Sequence, residues 1–361
     1  MEEEGGFNEK KRQKIEIKNW ADLDEEPLKL IIKKLWFLDQ VRSSLVCKNW
    51  HAKAKRIGPS CSLPWLFSYN WIKKKPYQTI TLETLLHDPF SQKSYRVRKS
   101  MWQSGMIFGG DAEPVFSKNG WVLFVKKLSH DTTFFSYNPF ANRVIRLPSL
   151  KQDIDVAIFA GNPCSPDCLF FVSYRDRGKV CIGTCKLDDK NWITWMVDLD
   201  FNKRMASAVY SEEKGEFYCL FNGGILASIS FSEKSSISTI LLAKCPGIEE
   251  YQNYLVEYDG QLLLVVGSFR LTVLRFDWNQ MNWIDQDSLG NGAIFLNSTG
   301  FCASAVSAVD AIGLEDNICF GDQRYFEMNT RENYFSKAHY SLADWTFGRR
   351  FWIQLPPFIA N

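Results

Sequence analysis

Asp88-Pro-Phe-Ser-Gln-Lys-Ser-Tyr-Arg-Val97 returns without gaps, fifty positions later, as Asn138-Pro-Phe-Ala-Asn-Arg-Val-Ile-Arg-Leu147. Each copy reads as a strand end, a Pro-Phe turn and a new strand in which two apolar residues flank an arginine. Proline cannot donate to a ladder, and an Asp or Asn before it favours turn initiation. A second echo joins Leu187-Asp188 and Asn191-Trp-Ile193 to Phe276-Asp277 and Asn282-Trp-Ile284, again a strand, a polar turn and a tryptophan opening the return strand. Short β-branched or aromatic runs lie around these hairpins: Trp121–Val125, Leu169–Tyr174, Glu216–Phe221, Leu262–Val266, Leu271–Phe276 and Ile318–Gly321. Gly, Asn-Pro, Asp and Ser punctuate them, and from Leu63 onward there is hardly an amphipathic helix. A period of about 50 residues with four strands per unit is that of a propeller blade, and radial closure leaves few exposed strand edges. A single β-sandwich rarely extends to about 300 residues. The expected fold is therefore mainly β, a propeller of six or seven blades behind a small N-terminal helical module.

That module spans residues 19–57, NWADLDEEPLKLIIKKLWFLDQVRSSLVCKNWHAKAKRI. Leu28, Ile31, Ile32 and Leu35 fall at i, i+3, i+4 and i+7, which places four aliphatic groups on one face of a first helix. Asp22 or Asp24 can cap it, Glu25 and Glu26 suit the positive end of its dipole, and Pro27 is tolerated in the first turn. Asp39 is expected to cap a second helix along which Val41, Leu45, Val46 and Trp50 recur at helical spacing. A segment below about 40 residues rarely builds an independent core, so some of these apolar groups are expected to face a partner.

The pattern W-x-D-L-x-x-x-P-L-x-x-I-I-x-x-L followed by V-R-x-x-x-V-C-K-x-W resembles the F-box, the motif by which substrate receptors dock onto a Skp-type adaptor of a cullin–RING ubiquitin ligase. The matching residues are Trp20, Leu23, Pro27, Leu28, Ile31, Ile32, Leu35, Val41, Arg42, Val46, Cys47, Lys48 and Trp50. The family usually has proline directly after the leucine that corresponds to Leu23, whereas here Asp24 follows and Pro27 comes later. The resemblance implies adaptor contacts from Leu23, Pro27, Leu28, Ile31, Ile32, Leu35, Val41, Val46, Cys47 and Trp50. Across the body, Ser117–Phe124, Tyr137–Pro148, Tyr258–Val266, Ser288–Phe295 and Leu314–Asp322 resemble plant F-box proteins with a C-terminal KIB-type propeller. That family implies a substrate receptor without catalytic groups. Its partners would be a Skp-type adaptor, a cullin–RING core and an unidentified target protein.

The expected organisation is a tail at 1–18, the F-box at 19–57 and the propeller at 58–361. Apolar residues make up 45% of the chain and aromatic ones 15%, ample for a large core. The net charge is +2, from 43 basic and 41 acidic residues, so no global field attracts nucleic acid or acidic membranes. The N-terminus lacks the apolar stretch of a signal peptide, and the aliphatic run Leu262–Val266 is too short to span a bilayer. The chain is expected in the nucleus, the cytoplasm or both. Lys10, Lys11, Arg12 and Lys14 form either a nuclear-import patch or a solvated tail.

Chemistry in the body is sparse. Cys164-x3-Cys168 and Cys181-x3-Cys185 could offer four thiolates to zinc, but structural knuckles favour C-x2-C turns, and strand cysteines at i and i+4 share one face. Packed thiols, and no metal or cofactor, are the expectation. The histidines, His51, His87, His130 and His339, stand beside no nucleophile motif. Asp153 with Asp155, or Asp188 with Asp189, are the carboxylate pairs a propeller glycosidase would need, yet aspartates sit readily in turns. Gly109-Gly110 and Gly223-Gly224 lack the lysine and helix of a phosphate loop. Lys73-Lys74-Lys75-Pro76 reads as a solvated loop, and Trp121, Trp192, Trp283 and Trp352 as fillers between blades. Two alternatives stand beside the receptor: an interaction scaffold whose divergent F-box no longer binds its adaptor, and a propeller enzyme or glycan binder.

Overall fold

The computed structural model describes residues 19–57, save 36 and 45, and 63–356 apart from 75–78, 89–92, 104–105, 108–110, 130, 198–202, 232–236, 246–252, 268–270, 298–302, 308–313, 321–323, 329 and 336–348. The chain divides into a helical unit, Met1–Cys61 with Phe358–Asn361, and a strand unit, Ser62–Pro357. No described helix is long and apolar enough to cross a membrane.

The strand unit is a propeller of six blades. The first blade is closed by chain ends: Arg349–Ile353 pairs antiparallel with Trp65–Lys74, followed outward by Thr79–Asp88 and Lys93–Ser100. This joins the end of the sheet unit to its start and so abolishes what would be two open edges. The second to fifth blades are four-stranded meanders beginning at Glu113, Ile154, Met205 and Asn253. The sixth departs from this pattern. Gly292–Leu296 lies between Ala303–Ser307 and Asn317–Phe320 and runs parallel to the latter, making five strands.

Strand position within a blade dictates composition. Ile154–Ala160, the innermost strand of the third blade, is buried at all seven positions, whereas the outermost strand Lys93–Ser100 alternates exposed and half-buried residues. Apolar clusters then join consecutive blades. Leu123, Phe134, Phe159 and Phe170 unite the second and third; Ile158, Phe171, Phe217 and Ile229 unite the third and fourth. Leu220, Leu226, Leu264 and Phe276 bridge fourth to fifth, and Val256, Leu263, Ile294 and Ile318 bridge fifth to sixth. Between sixth and first, Phe295 meets Trp352 edge-on at 4.9 Å, and Asn297 Nδ2 donates to the Trp352 carbonyl at 3.4 Å.

The repeated motifs all fall on one structural position. Asp88 ends the third strand of the first blade and Lys93 opens its fourth; Asn138 and Arg143 do the same in the second. The Leu187–Ile193 and Phe276–Ile284 echoes also connect third to fourth strands, in the third and fifth blades. Phe140 sits in its turn, while Phe90 lies outside the described residues. The tryptophans bridge blades: the Trp192 indole packs on Phe134 at 5.1 Å and donates to the Pro148 carbonyl at 2.8 Å. Asn119-Gly120, Arg177-Gly178 and Asp259-Gly260 make two-residue turns with both residues at positive φ, which matches strand twist. At Gly120 a Cβ would also approach Pro356 to 2.8 Å, so glycine is required twice over.

Candidate functional site

The helical unit holds three helices after a short turn at Trp20–Asp22: α1 (Glu25–Lys34), α2 (Phe37–Ser43) and α3 (Lys48–Ile57). The two-helix hairpin expected from the sequence is thus corrected. Asp39 lies inside the first turn of α2 and does not cap it, and the run from Val41 to Trp50 breaks between Ser43 and Lys48. Cys47 starts the third helix: its Sγ accepts from the Trp50 backbone N at 3.4 Å, a thiol in the place usually held by Ser or Asp. Asp24 occupies the N-cap position of α1 without a side-chain capping bond, and Pro27 fits the first turn as expected.

Leu28 and Ile32 are fully buried, packed with Ala54 of α3 and flanked by Leu23, Trp50 and Ile57. Their expected exposure to an adaptor is corrected, because α3 already covers that face. Trp50 also has a different task. Its indole N–H donates to the Trp20 carbonyl at 2.8 Å, beside Asn49 Nδ2 to the Ala21 carbonyl at 2.7 Å and Lys53 Nζ to the Leu23 carbonyl. Three bonds from side chains of one helix to carbonyls between Trp20 and Leu23 tie down the entry segment. Arg56 adds a forked contact to the Glu25 carboxylate, 2.6 Å from Nη2 and 3.1 Å from Nε, which holds Glu25 below the usual carboxylate range.

A second face of α1 carries the open apolar surface. Pro27, Leu30 and Ile31 share it at i, i+3 and i+4; Pro27 is exposed, Leu30 is 64% exposed and Ile31 half-buried. Trp20 at 68% and Val46 at 65% are the other large exposed apolar groups described in this unit. Leu35 is half-buried at the C-cap, where its carbonyl accepts from the buried Gln40 at 2.8 Å. Val41 lies on α2, its side chain outside the described residues. Sequence reasoning passed over Leu30 because it lies off the i, i+3, i+4, i+7 stripe. Its signal was an aliphatic residue three positions after Pro27 and next to Ile31.

In the propeller the expected chemistry resolves into packing and turns. Cys168, Cys181 and Cys185 are buried in the cluster between second and third blades, with Cys164 half-buried beside them. Burial pushes the Cys168 thiol up to about 12 and raises Cys185 further, so thiolates are costly there. Among the described residues no group of three or more His, Cys, Asp or Glu is placed to hold a metal. Asp155, nearly enclosed on an inner strand, binds Arg204 Nε at 2.8 Å, while Asp153 pairs with Lys127 at 3.5 Å. Asp188 adopts φ of 67° in a turn, and Asp189 accepts from the Lys186 backbone N at 2.7 Å.

Comparison with known proteins agrees with this division. The F-box domain model matches residues 20–59 and the KIB1-4 beta-propeller model residues 89–340. F-box/kelch-repeat protein At1g57790 of Arabidopsis thaliana is 26% identical over 90% of this chain and 89% of its own length. F-box protein At3g56470 of the same plant is 26% identical, covering 79% of this chain and 74% of its own. Among solved structures, Saccharomyces cerevisiae Sqt1 superimposes with a TM-score of 0.40 at 9% identity, covering 80% of this chain and 82% of its own, too low a likeness to bear on function. With the propeller model spanning well over half of its length and the helical module ahead of it, the chain belongs to the plant F-box proteins that carry a KIB-type β-propeller.

Proposed function

We propose that the chain is a substrate-receptor subunit of a Skp–cullin–F-box ubiquitin ligase, in the nucleus, the cytoplasm or both. The observation that carries this reading is the open apolar surface of the helical unit. Leu30, Pro27, Trp20 and Val46 stay exposed although Leu28 and Ile32 have found an internal partner. Large apolar groups left exposed on so small a module mark an interface, and a Skp-type adaptor is the partner that the F-box match supports. Glu25 and Arg56 fasten α1 to α3, so the surface is presented preformed and little ordering opposes binding.

The receptor's contribution is positional. By holding a target protein on the propeller and the ligase core on the helices, it raises the effective concentration of a target lysine near the charged ubiquitin carrier. No side chain of this chain takes part in the chemistry. Proximity labelling by the full chain in plant cells, with cullin neddylation and the proteasome both blocked, tests this. Proteins that accumulate beside the wild-type chain, and lose their ubiquitin when Leu30 and Val46 are replaced by Glu, support it. Labelled proteins whose ubiquitylation is indifferent to those replacements refute it.

A further inference from the structure

A cleft of about 660 Å3 opens between the third and fourth blades, on the side carrying the turns between their first and second strands. Its apolar wall is Ile193 and Trp195 from the outermost strand of the third blade and Phe231 from the third strand of the fourth. Trp195 and Phe231 lie 5.0 Å apart, and Phe231 is braced edge-on against Phe217 at 5.9 Å, so the rings are fixed before anything binds. Three carboxylates, Asp167, Asp189 and Glu212, share the lining with a single cation, Lys186. Glu212 reaches out to Lys118 at 2.8 Å, and Asp189 accepts from the Lys186 backbone N–H.

Burial, with a smaller contribution from Glu212, raises the Tyr210 hydroxyl, and burial, with a smaller contribution from Asp189, raises the Cys185 thiol. Ile193 in the wall is 52% exposed, and elsewhere on the outermost strands of the two blades Met196, Ile240 and Leu241 are exposed too. Fixed aromatic faces beside Asp167 and Asp189, carboxylates that outnumber the one lysine of the lining even with Glu212 paired to Lys118, suit a cation whose stem is apolar, and the exposed Ile193 in the wall suits an apolar neighbour of that cation.

We propose that this cleft holds a segment of a partner protein in which a lysine or arginine is flanked by apolar side chains. The basic head would sit among Asp167, Asp189 and Glu212, with its stem against Trp195 and Phe231. This deepens the receptor reading and rests on it only in taking that partner to be the target.

The test uses the full chain and fluorescent ten-residue peptide pools whose centre is fixed as Lys, Arg, Gln or Glu, flanked by Leu or by Ser. The wild-type chain is expected to bind the Leu-flanked Lys and Arg pools about tenfold more tightly than the Glu pool. Asp167→Lys with Glu212→Lys should erase that preference at an unchanged unfolding temperature, and Glu332→Lys, on the sixth blade, should not. Ile193→Ser, a half-exposed surface change, should weaken every Leu-flanked pool and serves if the charge-reversed chain fails to fold. Absence of a basic preference, a preference untouched by both cleft variants, or tighter binding of single-stranded RNA than of any peptide overturns the proposal. Adaptor titrations on the same samples separate the two readings. A basic preference without adaptor binding sinks the receptor and spares the cleft, and adaptor binding without the preference does the reverse.

Discussion

Replacing Ile32 with Ala separates core from contact in the helical unit. Ile32 is fully buried against Leu28 and Ala54, so the truncation leaves a cavity and forfeits about 2–5 kcal/mol. A module of some 40 residues, with Leu28, Ile32 and Ala54 the fully buried apolar side chains among its described residues, has about 3–5 kcal/mol to lose in all, so Ile32→Ala is expected to leave much of α1 unfolded. Binding then falls with the folded fraction, so a loss that exceeds the module's own stability by about 1.4 kcal/mol weakens adaptor affinity about tenfold. Leu30→Ala should behave differently. At 64% exposure it shifts stability by less than about 0.5 kcal/mol, yet removes an interface anchor and weakens binding by about 1–2 kcal/mol. Hydrogen exchange over Glu25–Lys34, measured beside an adaptor titration, distinguishes the two. If Ile32→Ala weakens binding while exchange in α1 stays slow, Ile32 is a contact and the assignment of the inner face is wrong. If Leu30→Ala binds as wild type, the outer face drops out of the account.

Other outcomes follow from the propeller. Trp192→Phe keeps a ring against Phe134 but strands the Pro148 carbonyl, and should lower the stability of the strand unit by about 1–3 kcal/mol in denaturant titration; no change would show the bond to be idle. Glu257 has its folded pKa raised by burial and by Glu212 and Glu213, so its contribution to stability is full below the usual glutamate range and lost as pH rises through the raised value. Unfolding temperatures of Glu257→Gln between about pH 4 and 7 should therefore fall less steeply with rising pH than those of wild type. Alkylation at about pH 8, mapped by mass, should label Cys47 and Cys164 well before Cys168, Cys185 and Cys219, whose thiols are buried and held protonated. The unfolding temperature should be the same with and without chelator, and a zinc-dependent transition lost on replacing Cys185 would contradict the packing of these thiols.

Much of the fold was legible because blades repeat their outer hairpins. The Pro-Phe and Asn-Trp motifs both recur at the connection of third to fourth strand, where a turn and an inter-blade tryptophan are required locally. Blade number was not legible. It depends on Arg349–Ile353 returning to pair with Trp65–Lys74, a contact between chain ends that no local period encodes, and on a sixth blade with a parallel pair. In the helical unit, periodicity located the stripe of Leu28, Ile31, Ile32 and Leu35 correctly as apolar. It could not say what covers the stripe, because whether α3 or a partner does so depends on where the chain breaks after Ser43. Trp50 illustrates the same limit: as a pattern residue it reads as an anchor for a partner, while its N–H serves the Trp20 carbonyl.

The most direct measurement is a calorimetric titration of a Skp-type adaptor into the full chain, wild type and with Leu30→Glu and Val46→Glu together. The account predicts saturable binding of one adaptor per chain at sub-micromolar affinity for wild type, and no heat from the double variant at the same concentrations although its strand unit unfolds at an unchanged temperature. A wild-type chain that is folded by hydrogen exchange over α1 and α3 and yet takes up no adaptor would contradict the receptor and leave an interaction scaffold in its place.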